Sequence, residues 1–389
     1  MALSRIGRGF DAVTRSALCF EPVGGSTHNY YRYPARFSPA FARAAIENLT
    51  KPGDTVFDPF MGGGTAAVEA LASGRRFVGC DLNPLSVFLA KVKTQALSEV
   101  DLAAVANWAD DLAADARLGP ARSHHSDWVD YQVNMPWWIR QAVEVCLDAV
   151  EQLETPDRTA FGRCAVLKTA QWALDCRRDL PSGRSFLEMF RQNIELMARG
   201  MREYRARLKS SNTDRPGPNR RLFLENSEHL RLNKGVPKSW LPPKLVITSP
   251  PYPGVHILYH RWQVQGRRET PAPFWVIDSL DGYGASHYTF GDRRRRSMGS
   301  YFERIARCFS AIATLMGPES LLVQLVAFSN VDLQLGPFLA ALDSAGLREI
   351  ALNKDDNRVH RRVPNRKWYT QVTGADTSAR EILFVHARG

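Results

Sequence analysis

The alternation over residues 52 to 97 limits this chain more than any other feature. "DTVFDPF" is apolar and bounded by "KPG", "MGGGT" breaks it, and "AAVEALASG" has helical character. "RRFVGCDLN" reads as a second strand and "PLSVFLAKVKTQAL" as a second helix, with Pro84 in its first turn. Strand, turn, helix, strand, helix is a βαβα unit, which predicts parallel strands joined by a right-handed crossover.

From about 98 to 210 the strand signals vanish. Phe186, Phe190, Ile194, Met197, Met201, Tyr204 and Leu208 recur every three or four residues, as one face of a helix does. Ile139, Val143, Leu147 and Val150 repeat the pattern, and the block closes in the polar "KSSNTDRPGPNRR". Short apolar runs then return in "RLFLENS", "KLVITSPPY" and "SLLVQLVAFSN", with "YFERIARCFSAIATLM" and "LGPFLAALDSAG" as helices between or beside them. "YTQV" and "EILFVHA" are expected to pair as a final antiparallel hairpin. The expected class is α/β, a doubly wound sheet with a helical insertion. Its divisions fall at 1–97, at a helical insertion over 98–218 that is a candidate target-recognition region, and at 219–389, which includes a nucleic-acid-contacting insert at 253–300.

A formal charge of +11 and a pI near 9.5 point to a polyanionic partner or to a generally basic surface. No apolar run approaches the roughly 20 residues of a membrane span. The N-terminus lacks the continuous apolar stretch of a signal peptide, so a cytoplasmic location is expected. Six scattered cysteines with no CxxC pair read as reduced thiols, not a disulfide frame or a zinc site.

"FDPFMGGGT" sets Asp58 and three glycines at the carboxyl end of the first strand, where ligands of open α/β sheets bind. Neither a Walker lysine nor G-x-G-x-x-G is present, so a phosphate cradle is not expected. Asp81, after the second strand, is positioned to accept hydrogen bonds from a ribose diol. In "VITSPPYPGV" two prolines fix φ twice and remove two donors. Alone, such a stretch reads as a turn or a polyproline segment. At the end of "KLVIT", on the sheet that bears the glycine turn, it reads as a rigid corner at a strand's carboxyl end.

These stretches resemble one family. "DPFMGGGT" is similar to the D-P-F-x-G-S-G-T motif of S-adenosylmethionine-dependent amino-methyltransferases of DNA, the N4-cytosine/N6-adenine family. "SPPY" resembles their catalytic [DNS]-P-P-[YFW], and "YPARFSPAFARAAIENL" their segment over the methionine end of the cofactor. The motif order, cofactor loop before tetrapeptide, is permuted relative to many members. The resemblance implies a Rossmann-like, seven-stranded methyltransferase sheet, S-adenosylmethionine as cofactor and duplex DNA with a flipped base as partner; it leaves a cognate restriction nuclease open. It assigns cofactor contacts to Phe37, Pro39, Asp58, Phe60, Gly62, Gly64, Thr65, Asp81 and Asn83. The family's adenine-binding acid has no counterpart in "LENSEHL", so Asn226 or Ser227 stands in for it.

The implied catalytic residues are Ser249, Pro250, Pro251 and Tyr252. The Ser249 side chain and the Pro250 carbonyl would accept the two hydrogens of an exocyclic amine, and Tyr252 would stack on the extruded base. Serine at the first position is commoner in the N4-cytosine enzymes, which favours cytosine. Cytosine-5 chemistry needs a Pro-Cys pair, and this chain has none. An N6-adenine or RNA enzyme, and a catalytically silent nucleic-acid-binding protein, remain as alternatives on the same fold.

Aromatics interleaved with arginines follow the tetrapeptide: Tyr259, Trp262, Phe274 and Trp275 with Arg261, Arg267 and Arg268. With His256 and the run Arg293, Arg294, Arg295 and Arg296, they are the expected nucleic-acid contacts. A metal site on His256 and His260 lacks a third ligand, so none is expected.

Overall fold

The structure is a computed structural model in which residues 3–19, 24–34, 36–114, 126–213, 215–230, 235–253, 261–266, 268–281, 290, 298–352, 358–362 and 380–389 are described. Its strands are β1 (Thr55–Asp58), β2 (Arg76–Asp81), β3 (Arg220–Leu224), β4 (Leu245–Thr248), β5 (Trp262–Val264), β6 (Arg268–Thr270), β7 (Leu321–Phe328), β8 (Leu347–Glu349), β9 (Val359–Arg362) and β10 (Arg380–Arg388). The helices are α1 (Leu3–Leu18), α2 (Pro39–Leu49), α3 (Thr65–Ala72), α4 (Pro84–Lys93), α5 (Glu99–Ala114), α6 (Trp137–Val150), α7 (Pro156–Leu174), α8 (Gly183–Ser210), α9 (Ala272–Ile277), α10 (Met298–Leu315) and α11 (Val331–Ser344).

The sheet path runs β3-β2-β1-β4-β7-β10-β8. From β3 to β7 every pairing is parallel, and β10 is antiparallel to both β7 and β8. Numbered along the path alone, the order is 3-2-1-4-5-7-6 with the seventh strand reversed, the Rossmann-like methyltransferase winding. The first strand of the chain, β1, is the central strand that carries the glycine turn. Chain order reverses direction between β1 and β4, which opens a crevice at their carboxyl ends.

The pleat sorts the core into two layers, because successive strand residues point to opposite faces. Val56, Phe77, Ile247, Leu325 and Val385 face one cluster, which also takes the apolar sides of α1 to α9. Phe57, Val78, Val246, Ile382 and Phe384 face the other, covered by α10 and α11. The long helices between β2 and β3 therefore thicken one layer: Phe186, Phe190, Ile194, Met197 and Met201 of α8 are buried in the same cluster as α2 and α4.

"EILFVHA" forms the antiparallel β10, whose first half pairs with β9 and whose last residues pair with β8. "YTQV" lies outside the described residues. Of the six cysteines, Cys80, Cys146, Cys164 and Cys308 are buried and all are unbridged. No helix among the described residues is long and apolar enough to cross a membrane.

Candidate active site

Three glycines let the chain turn sharply between β1 and α3. Gly62 and Gly64 have φ of +50° and +73°, a region that side chains bearing a Cβ rarely adopt. A Cβ on Gly64 would lie 3.0 Å from the Cα of Ala90, so α4 rests directly against the turn. Asp81 closes this arrangement from β2. Its Oδ2 accepts from the Gly62 amide at 2.8 Å and its Oδ1 from the Asn83 amide at 2.9 Å. Asn83 caps α4 by accepting from the Leu85 amide at 3.0 Å, and Pro84 fills the first helical position. Ser86 donates to the Gly62 carbonyl at 2.6 Å, and the buried Lys93 donates to that of Gly63 at 2.7 Å. Burial pushes the Lys93 ammonium down to about 7.

Asp58 is not placed as the sequence suggests. It is 1% exposed and lies beneath the turn, where Oδ1 accepts from the Thr248 hydroxyl at 2.7 Å and from the Phe60 amide at 3.1 Å. Burial raises its carboxyl to about 7, against the opposing pull of those two donors. Its position ties the end of β1 to the end of β4 and gives it no face on the cleft.

The cleft opens where those strand ends meet. Gly62, Thr65, Asp81 and Asn83 line its floor, with Asn226 and Ser227 beyond the end of β3. Tyr33, Arg36, Phe37 and Phe60 form apolar and cationic walls, and Ser249 and Pro251 close the side toward β4. Ser227 is held by donating to the Pro59 carbonyl, and Asn226 caps the short turn after β3 by accepting from the Glu228 amide at 2.9 Å. Pro39, Gly64, Pro250 and Tyr252 do not line this space. Pro39 starts α2 behind Ser38, whose hydroxyl accepts from the Phe41 amide at 3.2 Å.

The diproline corner is fixed by side chains from distant parts of the chain. Ser249 Oγ lies 2.8 Å from Tyr252 Oη and 3.0 Å from the Leu325 carbonyl. Tyr252 Oη lies 2.9 Å from Oε1 of Glu381, whose other oxygen pairs with Arg361. Tyr301 donates to the Pro251 carbonyl at 2.7 Å. The Pro250 carbonyl has no hydrogen-bond partner among the described residues. The stacking expected of Tyr252 is corrected by this geometry: its ring is 4% exposed within the α10 layer and its hydroxyl is engaged. Phe60 presents a ring to the cleft instead, packed edge-on against Phe290 at 6.0 Å.

Among the expected nucleic-acid contacts, Arg268 is exposed at the start of β6, and Arg261 is half-buried with an Nε that finds no partner among the described residues. Trp262, Phe274 and Trp275 are core, buried against α7 and its neighbours, so their rings are not offered to bases. His256, Tyr259, Arg267 and Arg293 to Arg296 lie outside the described residues.

Sequence reasoning missed several participants. Tyr33 packs on the glycine turn, 3.2 Å from where a Gly62 Cβ would sit, and starts the "YPARF" stretch that was singled out. Arg36 donates to the carbonyls of His28 and Tyr31 at 3.1 Å each, and its burial lowers the guanidinium to about 10. Thr248, Glu381 and Arg361 carried no local signal, because their partners are 190, 129 and 20 residues away.

Residues 14–91 match the family model described as DNA methylase. The type II methyltransferase M.MvaI of Kocuria varians is 46% identical over 71 residues, 18% of this chain and 16% of that protein. M.XycI of Xanthomonas campestris pv. cyanopsidis, another type II methyltransferase, is 42% identical over 59 residues, 15% of this chain and 20% of its own length. The DNA adenine methyltransferase YhdJ of Escherichia coli (strain K12) is 39% identical over 54 residues, 14% of this chain and 18% of that protein. The chain thus spans a fifth or less of each of these relatives. The sheet has the strand order of a Rossmann-like methyltransferase fold, with a cleft at its strand ends. Residues 14–91 are thus similar to the DNA methylase family model and to segments of type II and adenine DNA methyltransferases.

S-adenosylmethionine is the cofactor of that family, and the cleft's groups suit it. Acceptors stand at the ends of β2 and β3, aromatic rings line the walls, and the half-buried Arg36 offers a cation for a carboxylate.

Proposed function

We propose that the chain is a site-specific DNA methyltransferase acting on the exocyclic amine of a base turned out of the duplex, and that this base is cytosine, methylated at N4. One observation carries the reading: Ser249 and Pro251 of the diproline corner share a single cleft with Gly62, Asp81 and Asn83 of the cofactor turn.

When bound, S-adenosylmethionine supplies a sulfonium methyl group open to attack by nitrogen. Asp81 would receive the ribose hydroxyls, Asn226 and Ser227 the adenine edge, and Phe37 and Arg36 the methionine end. Asn83 keeps Asp81 in place. The lone pair of a nucleobase amine is delocalised into the ring, so the nitrogen is a poor nucleophile. Ser249 Oγ, on the cleft wall, would accept one of its hydrogens, and the Pro250 carbonyl, which has no partner among the described residues although Pro250 does not line the cleft, would accept the other, favouring a tetrahedral nitrogen. Two prolines hold that carbonyl at a fixed angle, so little reorganisation is needed. The Pro251 carbonyl is engaged by Tyr301 and takes no part. The excess proton passes to water without a side-chain base.

Contacts to the strand are assigned to Arg261, Arg268 and the basic runs, and reading of the target to residues 98–218 and 253–300. The relatives named type II methyltransferases support pairing with a cognate restriction nuclease. Adenine N6 is the second reading, favoured by the likeness to a DNA adenine methyltransferase.

Incubating the protein with methyl-labelled cofactor and either DNA or RNA, then digesting to nucleosides, tests the proposal. Label in N4-methylcytosine from DNA is expected. Label only in N6-methyladenine would move the reading to its alternative. Label only in RNA, or no transfer at all, would overturn it.

A further inference from the structure

Two carbonyls of the glycine turn are drawn toward one helix. That of Gly62 lies 2.6 Å from Ser86 Oγ, a hydroxyl that Asp81 shares, and that of Gly63 accepts from Lys93 Nζ at 2.7 Å. Ser86 and Lys93 stand seven residues apart on one face of α4, and they are 0% and 1% exposed. A trans peptide sets its N–H opposite the preceding C=O, and the bond between Gly62 and Gly63 is trans. The Gly63 amide therefore points away from α4, on a buried residue that lines the cleft. It has no acceptor among the described residues, whereas the amides of Gly62 and Gly64 are taken by Asp81 Oδ2 and the Met61 carbonyl. A buried backbone donor without a partner is rare in a folded chain, and an acceptor on a bound ligand completes this one.

We propose that Lys93, with Ser86, is a positioning residue that holds these carbonyls against α4 and so leaves the Gly63 amide aimed into the cleft, as a donor to an oxygen of S-adenosylmethionine. The proposal rests on the methyltransferase reading above. The choice of side chain supports it. The ionisable groups facing the Lys93 amine are Arg36, Lys168, His28 and the Cys164 thiol, and no carboxylate pairs with it among the described residues. A methionine would fill the same space without the cost of desolvating an amine. What the amine adds, and an apolar side chain cannot, is its bond to Gly63.

Lys93→Met keeps the length and the apolar stem and removes the donor. With the Gly63 carbonyl released, S-adenosylhomocysteine is expected to bind about fivefold or more weakly by calorimetry, while binding of duplex DNA without cofactor stays within about twofold. The melting temperature of the unliganded protein is expected to stay within about 4 °C of wild type, because the lost bond is offset by no longer burying an amine. A purely structural lysine forecasts the reverse, a clear fall in melting temperature with cofactor affinity kept, and that result would overturn the proposal.

The direct readout is the Gly63 amide resonance in protein carrying isotope-labelled glycine. In the wild type it is expected to move downfield when S-adenosylhomocysteine is added, and in Lys93→Met to move less than about half as far at saturation. A resonance that stays still in the wild type would overturn the proposal, as would a full shift in Lys93→Met. If Lys93→Met does not fold, Ser86→Ala releases the Gly62 carbonyl and is expected to shrink the same shift; an undiminished shift there would contradict the geometry. Absence of any binding by the wild-type protein would refute the cofactor reading itself, whereas binding that is indifferent to Lys93 would refute only the positioning role.

Discussion

The Thr248 hydroxyl donates to Asp58 Oδ1 across 2.7 Å, joining the last residue of β4 to the last residue of β1. The two halves of the site thus meet below the cleft floor, in a spot with almost no exposure. The bond also puts a carboxyl with a pKa of about 7 under the glycine turn.

That raised pKa has a signed consequence for stability. An aspartate titrating near 7 when folded and near 3.8 when free contributes stability that is complete below about 4 and is lost as pH rises to about 7. Asp58→Asn keeps an acceptor for Thr248 and has no charge to bury. Its melting temperature relative to wild type is expected to rise between pH 5 and pH 8, by up to about 1.4 kcal/mol of stability for each unit crossed. Parallel melting curves across that range would show that Asp58 does not titrate there.

Gly64→Ala is expected to destabilise the fold by roughly 1–3 kcal/mol, since φ of +73° strains any residue with a Cβ and that atom would press on the Ala90 backbone. Thermal or urea unfolding measures it. Gly299→Ala, whose Cβ would meet nothing within 4 Å, is the control and is expected to change little.

Asp81→Asn is expected to weaken S-adenosylmethionine binding about tenfold or more, as one amide bond to the turn and the acceptors for the ribose are both disturbed. Calorimetry reads the effect, and an unchanged dissociation constant would remove Asp81 from the site.

Ser249→Ala is expected to leave that cofactor affinity within about twofold while lowering turnover about tenfold or more, the signature of an interaction made with the reacting amine alone. A parallel loss of both would make Ser249 part of the cofactor pocket.

Much of the fold was legible because the unit at 52 to 97 is written in local signals. Gly62 and Gly64 mark positive φ, Pro84 marks a helix start, and apolar runs of four to eight residues mark buried parallel strands. The cleft was legible to the extent that strand ends in such a sheet converge. Asp58 and Tyr252 were misread for a common reason: a motif gives the position of a residue along the chain but not the direction of its side chain. Asp58 turns under the loop toward Thr248, and Tyr252 turns into the α10 layer toward Glu381. Trp262, Phe274 and Trp275 looked like a stacking platform because arginines separate them, yet they fill the core that the long helices create. Glu381 heads an apolar strand and resembles a solvent-facing charge until Arg361 of the neighbouring β9 is placed beside it.

The most direct measurement is a crystal structure of the protein with S-adenosylhomocysteine, the demethylated cofactor. The ligand is expected between Gly62, Asp81 and Asn226, with its sulfur directed toward Ser249 and Pro250. A ligand bound elsewhere, or one whose sulfur points away from the diproline corner, would contradict the account.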